Sequence, residues 1–456
     1  MQYSPYLVPL AISLLGALLC ILRGPYFEKI ASVTVASGAL IATIYNLWQT
    51  DNISGFFYVD GLSKILMLTI ALIYLTTVLY STAYLKHIKN PLFQSRLYYI
   101  LLNIFAAAMF FSVIADNLGL IWVGIEATTV TSALLVATEN DQVTIESAWR
   151  YVIIVSTGLV ISLISTTFIF GASGTLSLRL LLQHHPANRV FLIGLLLGLI
   201  GFGTKAGIFP MHTWLPDVHG KAPSPVSAIF SGVLLPVALY AMARLIQIST
   251  IPAIRTFSLI LGILTVIVAS LMMTVQINYK RMFAYSSMEN MGMILIGFAL
   301  GGSGIIGSGI IILAHGLAKS GVFFLTGDVL STYHSTDIAE IHSLLRRMPR
   351  SALGLFLGSM AVTGAPPFAI FAGELFIMAQ LIQTYGWLLA VVLILFLSIA
   401  FIAVNYRTGK MLFTGTRGDT SEKSRWETWI PLINLSLSVL VLFMIPYLEQ
   451  LLTPIP

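Results

Sequence analysis

The chain has 456 residues, of which 57% are hydrophobic and only 9% charged, with a net charge of +6 and a mean hydropathy of +0.92. An average soluble chain carries about 25% charged residues, so a globule of this size could not cover its surface. That excludes a soluble enzyme, a nucleic-acid binder, a disordered chain and an outer-membrane barrel with its alternating polar lumen, and leaves a polytopic helical membrane protein.

A spanning helix needs about 20 mostly apolar residues. By that rule fourteen spans fall near 5–23, 30–49, 62–83, 98–114, 117–138, 149–171, 190–219, 225–247, 254–276, 281–300, 304–330, 351–383, 386–405 and 430–450. The first segment, Met1 to Cys20, lacks a basic start and a small-residue cleavage site, and is read as a retained helix. Cys20 is the only cysteine, which allows neither an internal disulfide nor an iron–sulfur cluster in this chain. The largest polar stretch, Tyr406–Glu427, reads as a loop.

Lys and Arg distribute unevenly. Odd-numbered loops hold seventeen of them, from Arg23 and Lys29 through Lys89, Lys280, Arg281 and Arg407 to Arg417, Lys423 and Arg425. Even-numbered loops hold four, Arg179, Arg189, Arg244 and Arg255. The positive-inside rule places the odd loops in the cytoplasm and both termini outside.

Two spans look interrupted. Span 7 reads GLIGFGTKAGIFPMHTWLPDVHG, with Gly207, Pro210 and Pro216 inside it. Span 12 reads GSMAVTGAPPFAIFAGELF, with Gly364, Pro366 and Pro367 at its centre. Proline removes a backbone donor and clashes with the preceding turn. Ordinary kinks are the plain alternative, but interrupted helices at matching places in two halves point to a transporter site. The spacing fits two inverted five-helix repeats, spans 4–8 and 9–13, each broken in its fourth member. The expected division is a three-helix segment over 1-97, half-channels over 98-250 and 251-405, and a cytoplasmic loop with the last helix over 406-456.

Three lysines remain outside the loops: Lys64, Lys205 and Lys319. Lys64 begins span 3 and can snorkel. Lys205 and Lys319 lie inside their spans, as do Glu126, Glu289, His315 and Glu374. A charge at the bilayer centre costs roughly 3 kcal/mol on insertion scales, so such groups face a protein or water interior and mark ion paths. His315 and Lys319 are four residues apart and share a helix face. The bland reading is a set of static ion pairs holding helices together. Thr128, Thr129, Thr131 and Ser132 follow Glu126; Tyr285, Ser286, Ser287 and Asn290 surround Glu289. Both sets suit either a hydrated interior or ordinary helix–helix bonding.

Other signals carry less. Gly302–Gly307 matches GxGxxG but follows no strand, which a dinucleotide site requires. His184 and His185 read as solvated. His212, Asp217 and His219 flank Trp214 without metal-site spacing and read as a helix end.

The stretch GFGTKAGIFPMHTWLPDVHGKAPSPVSAIFSGVLL (Gly201–Leu235) resembles the signature of the antiporter-like subunits of respiratory complex I and its relatives. Supporting pieces surround Glu126 and cover Asn278–Gly297, Ala314–Leu330 and Ala365–Met378. The segment GTKAGIFPMHTWLPD followed by APSPVSAIFSGVLL is most similar to the F component of hydrogenase-4-type complexes. The resemblance implies that Glu126 is paired with Lys205, the proton carrier of the first half-channel. It implies that His315 and Lys319 serve the connection and the second half-channel, and Glu374 the exit. The sequence departs from the family twice: Leu234-Leu235-Pro236 stands where many members have a lysine in an LLK context, and Asn290 where many have histidine, with Glu289 beside it as a substitute.

The expected function is that of a proton-translocating subunit of a redox-driven membrane complex, hydrogenase-4- or formate-hydrogenlyase-like. The resemblance implies no cofactor in this chain, with Ni-Fe and Fe-S centres in partner subunits. Its partners would be other membrane subunits, a soluble redox arm, lipid, and H⁺ or Na⁺, at the inner (cytoplasmic) membrane. The alternatives are a cation/proton antiporter or ion-coupled uptake complex without redox partners, the M-type subunit of NADH-quinone oxidoreductase, and a structural anchor.

Overall fold

The computed structural model describes residues 4–22, 27–88, 91–184, 186–415 and 428–453. Five cations counted in the odd loops, Arg23, Lys89, Arg417, Lys423 and Arg425, lie outside the described residues, as does His185. Helices occupy all fourteen expected places. Spans 1 to 6 are Pro5–Leu19, Phe27–Leu47, Gly61–Tyr84, Ser95–Ile114, Leu118–Val136 and Gln142–Ser173. Span 7 is Arg189–Ala206 and Trp214–Lys221 with a break between. Spans 8 to 11 are Ser224–Gln247, Pro252–Val275, Tyr279–Leu300 and Ser303–Tyr333. Span 12 is Pro349–Val362 and Ala369–Tyr385, again broken. Spans 13 and 14 are Trp387–Phe413 and Trp429–Leu452.

The differences from the expected pattern are local. A two-stranded hairpin, Asn52–Ser54 against Phe57–Val59, fills the loop before span 3; Gly55 takes the positive φ that its tight turn requires. A short helix, Leu178–His184, follows span 6. Span 13 continues to Phe413, so Tyr406–Phe413 belongs to the helix and not to a loop. Polar side chains end an apolar stretch but leave helix propensity intact.

The two five-span units match feature by feature. Both breaks are Schellman turns. Gly207 ends the first half of span 7 at φ 73°, with Ile208 N donating to Gly203 O. Gly364 does the same in span 12 at φ 66°, with Ala365 N donating to Met360 O. Each turn leads into a cis peptide bond at the third residue after the glycine, Phe209–Pro210 and Pro366–Pro367. The longest helix of each unit, span 6 or span 11, ends in a left-handed residue, Gly174 or His334. Just beyond it the chain bridges back to the asparagine that caps the second span, Asn117 to Ser177 and Asn278 to Asp337. Five is odd, so the second unit starts from the opposite face and runs inverted.

Small residues let the backbones approach, the usual basis of helix packing in lipid. A Cβ on Gly201 would lie 2.5 Å from Ser162 N, between spans 6 and 7. Gly232 of span 8 and Gly316 of span 11 each lie against the other's carbonyl oxygen. Span 8 opens into a π turn over Phe230–Leu234, just before Pro236. Proline's missing N–H is tolerated where the hydrogen-bond ladder is already rephased.

Lys64 and Arg244 sit differently from the sequence expectation. Lys64 does not snorkel to water; it is buried and pairs with Asp51 at 2.7 Å while donating to Gln49 O. Arg244 is no loop residue. It is 1% exposed and grips Asp60, the N-cap of span 3, through two hydrogen bonds of 2.6 and 2.7 Å. Tyr58 and Tyr240 lie against its guanidinium. The pair ties span 3 to the end of span 8. Breaking one half of such a pair strands a buried charge and costs about 3–5 kcal/mol. Arg244→Met is expected to lower the thermal unfolding temperature of the purified protein in detergent. Arg244→Met with Asp60→Asn should restore part of that loss, and equal temperatures for wild type and single variant would contradict this role.

Candidate proton pathway

The first cluster surrounds Lys205, the penultimate residue of the first half of span 7, which is fully buried. Its Nζ donates to Thr129 Oγ1 of span 5 at 3.0 Å and to the Tyr151 hydroxyl of span 6. Tyr151 shares a 2.7 Å hydrogen bond with Ser132. Trp214 packs on the Tyr151 ring and satisfies a carbonyl near the break through Trp214 Nε1 to Thr204 O at 2.8 Å. Glu126 lies within electrostatic reach of Lys205, but the two form no ion pair within 4 Å among the described residues. Hydroxyls therefore stand where the family resemblance implies a carboxylate. Tyr151 was missed by sequence reasoning, because a tyrosine in an apolar span looks like ordinary core.

The second cluster surrounds Lys319 in span 11, also fully buried. Its Nζ donates to Phe283 O at 2.7 Å and Ser286 Oγ at 2.8 Å, both on span 10. One turn on, Asn290 donates to Val362 O at 3.1 Å, the last carbonyl before the break in span 12. It also lies 3.4 Å from Glu289 Oε2. Glu289 is 2% exposed and within electrostatic reach of both Lys319 and Glu374. The Glu374 carboxylate rests directly on Gly364, where any Cβ would collide with it. The broken span therefore seats this carboxylate: only glycine offers both the positive φ and the space.

His315 sits between the clusters. It is fully buried, with no partner in hydrogen-bonding geometry for either ring nitrogen and the Ser231 backbone close by. Ser231 belongs to the π turn of span 8 and bonds Ser287 of span 10 at 2.6 Å. A loosened turn, two serines and a histidine thus lie just before Pro236, the position where the resemblance implies a lysine.

A third group was not foreseen. His219 does lie at a helix end, but it is fully buried, stacked on Phe323, with neither ring nitrogen hydrogen-bonded to protein. Lys280, counted among the loop cations, is 1% exposed and donates to Ala222 O at 2.6 Å. Both are within electrostatic reach of one another, and His219 also of Lys319. In the loop after span 5, Glu139 accepts from Tyr84 at 3.3 Å and lies within reach of Lys280. Burial pushes the Glu139 carboxyl above its usual range, while Lys280 pulls the other way. Asp217 does sit near the surface, paired with Arg281 at 2.8 Å. Charge spacing hid His219 and Lys280, because both adjoin polar residues that read as loop.

Among the described residues no group of three His, Cys, Asp or Glu could hold a metal ion. The arrangement is one of buried titratable groups bonded to hydroxyls and carbonyls.

Residues 115–400 match the family described as NADH:quinone oxidoreductase/Mrp antiporter, TM. The chain is 32% identical over 404 residues to the hydrogenase-4 component F homolog of Methylacidiphilum infernorum, covering 84% of each. It is 30% identical over 343 residues to hydrogenase-4 component B of Escherichia coli, covering 69% of this chain and 49% of that protein, so it spans about half that relative's length. In fold it is similar to a chain of the membrane-bound sulfane sulfur reductase, an archaeal respiratory membrane complex, with a TM-score of 0.88 at 23% identity over 99% of this chain and 96% of that one. The chain belongs to the NADH:quinone oxidoreductase/Mrp antiporter family of membrane subunits.

Proposed function

We propose that this chain carries protons across the membrane as one subunit of a redox-driven, hydrogenase-4-like complex. One observation carries the reading: Lys205 and Lys319, one in each unit, are fully buried and held by hydroxyls and carbonyls instead of ion pairs. A buried lysine in a tight ion pair is fixed in its charged form. One bonded to hydroxyls changes protonation as nearby carboxylates gain or lose protons.

The proposed route takes protons from the odd-loop side at Glu139, past Lys280 and His219, to Lys319. Glu289 and Glu374 lead from there toward the opposite face. Lys205, with Glu126, Tyr151 and Ser132, forms the exchanging cluster of the first unit, over residues 98-250, and residues 251-405 hold the second. His315 and the two serines join them. Water can link such groups where two or more polar partners converge.

The remaining elements of the reading follow from the chemistry. The odd loops face the cytoplasm and both termini the outside, since the cations concentrate on the odd side. This chain supplies no electron carrier, so Ni-Fe and Fe-S centres belong to partner subunits. The complex I-like arrangement uses the same parts with another electron donor. A redox-free cation/proton antiporter is the second reading, since the family also includes Mrp antiporters. Affinity purification through this chain, with metal analysis, separates them: nickel and iron support the first, and small membrane subunits without metal support the second.

Two outcomes test the route. Lys205→Ala and Lys319→Ala are each expected to abolish proton movement in membrane vesicles while partner redox turnover partly survives. Tyr151→Phe, which keeps the ring but removes the hydroxyl, should slow it by about tenfold or more. Undiminished pumping in all three would sink the proposal. The second concerns stability against pH. A carboxyl whose folded pKa is raised costs stability as pH rises through that value, because the folded state holds its proton more tightly. Glu139→Gln should therefore unfold at a higher temperature than wild type at pH 8, with the difference vanishing near pH 4. A constant difference would show that Glu139 does not titrate this way.

A further inference from the structure

Two adjoining cavities lie at the odd-loop end of span 13. The first, of about 370 Å³, is lined by Ile277, Asp337, His342, Tyr406, Arg407 and Lys410, among others. The second, of about 290 Å³, continues along the helix between Thr274 at the end of span 9 and Ile399, Ile402 and Ala403 of span 13. Tyr406 and Arg407 line both. Both are mainly apolar, and the first carries the cations Arg407 and Lys410 at its rim.

Arg407 is fixed in position. Its guanidinium donates to Thr274 O and Gln276 O, the free carbonyls at the end of span 9. Five N–H donors belong to a guanidinium, so others remain for a ligand. The Lys410 ammonium lies 4.9 Å from the centroid of the Tyr406 ring. The single carboxylate of the rim, Asp337, is engaged at Oδ1 by Ala339 N at 2.8 Å. Positive charge therefore dominates the rim. Below it, Ile402 is 64% exposed in a helix long and apolar enough to span lipid. From Lys410 to Ile399 the helix rises about 16 Å, close to the thickness of one leaflet of hydrocarbon, about 15 Å.

We propose that this groove binds one anionic phospholipid, with its phosphate at Arg407 and Lys410 and one acyl chain along Ile399, Ile402 and Ala403. Arginine suits a phosphate geometrically, and basic pockets between helices at this membrane face select anionic headgroups. A zwitterionic lipid would set its own cation against the same rim. An apolar partner helix would leave the cationic rim without an anion. Span 9 opens the second unit and span 13 closes it, so the lipid would clamp the two ends of that unit together beside the broken span.

The test uses the full complex in its native membrane. p-Benzoylphenylalanine placed at position 402 is photoactivated, and the adducts are identified by mass spectrometry. A phosphatidylglycerol or cardiolipin adduct is the expected result. Lys410→Gln should reduce the ratio of anionic to zwitterionic adduct about fivefold, the effect of one near-surface cation. Ala403→Trp, which fills the lower groove, should remove the lipid adduct while the protein stays assembled. An adduct to another subunit, an intramolecular adduct to residues 416–427, or equal capture of phosphatidylcholine would each overturn the proposal.

Discussion

A charge inside a bilayer must be compensated by something, and the rest of this structure is organised around that requirement. An isolated mid-membrane charge costs roughly 3 kcal/mol on insertion scales, and this chain keeps Lys205, Lys319, Glu289 and Glu374 within its spans. Compensation comes from polar groups that a regular helix would keep to itself. The break in span 12 frees Val362 O for Asn290 and makes room at Gly364 for a carboxylate. The break in span 7 places Lys205 at a helix end, beside Thr129 and Tyr151. The prolines and glycines that interrupt the helices thus serve the charges near them.

Much of this was legible in the sequence because membrane rules are severe. Apolar length fixed where helices cross, and proline placed both breaks. The breaks became equivalent only when the backbone was seen, since the matching Schellman turns depend on hydrogen bonds no pattern displays. Failures came where polarity was taken for position. Lys280 and Arg244 read as loop cations because each stands near the end of an apolar stretch, yet both are buried by neighbouring spans. His219 adjoins Gly220 and Lys221 and read only as a helix end, with nothing to show its burial. Tyr151 left no signal: one hydroxyl in a long apolar helix is indistinguishable from core until its partner, Lys205, arrives from 54 residues away.

One of the two departures from the pattern the resemblance implies, Pro236, falls beside the contact between the two units, where span 8 meets spans 10 and 11. Pro236 cannot carry a proton, and it stands just after the π turn of span 8. That turn brings Ser231 against Ser287 and near His315. π turns recur at functional positions because they widen a helix locally and shift its hydrogen-bond register. The turn thus gathers Ser231, Ser287 and His315, groups that can each donate and accept hydrogen bonds while neutral.

Two lysines and one arginine illustrate how the same cost is met for opposite ends. Arg244 holds Asp60 with two short bonds between aromatic rings, an arrangement that binds both charges and leaves neither able to change. Lys205 and Lys319 have only hydroxyl and carbonyl acceptors. A neutral amine can still bond to these groups, so losing a proton does not strand a partner charge. An ion pair at those positions would have been simpler to build and would have frozen the site. The absence of tight pairing where burial is deepest, set against its presence at Arg244, separates the groups that hold the fold together from those placed to exchange protons.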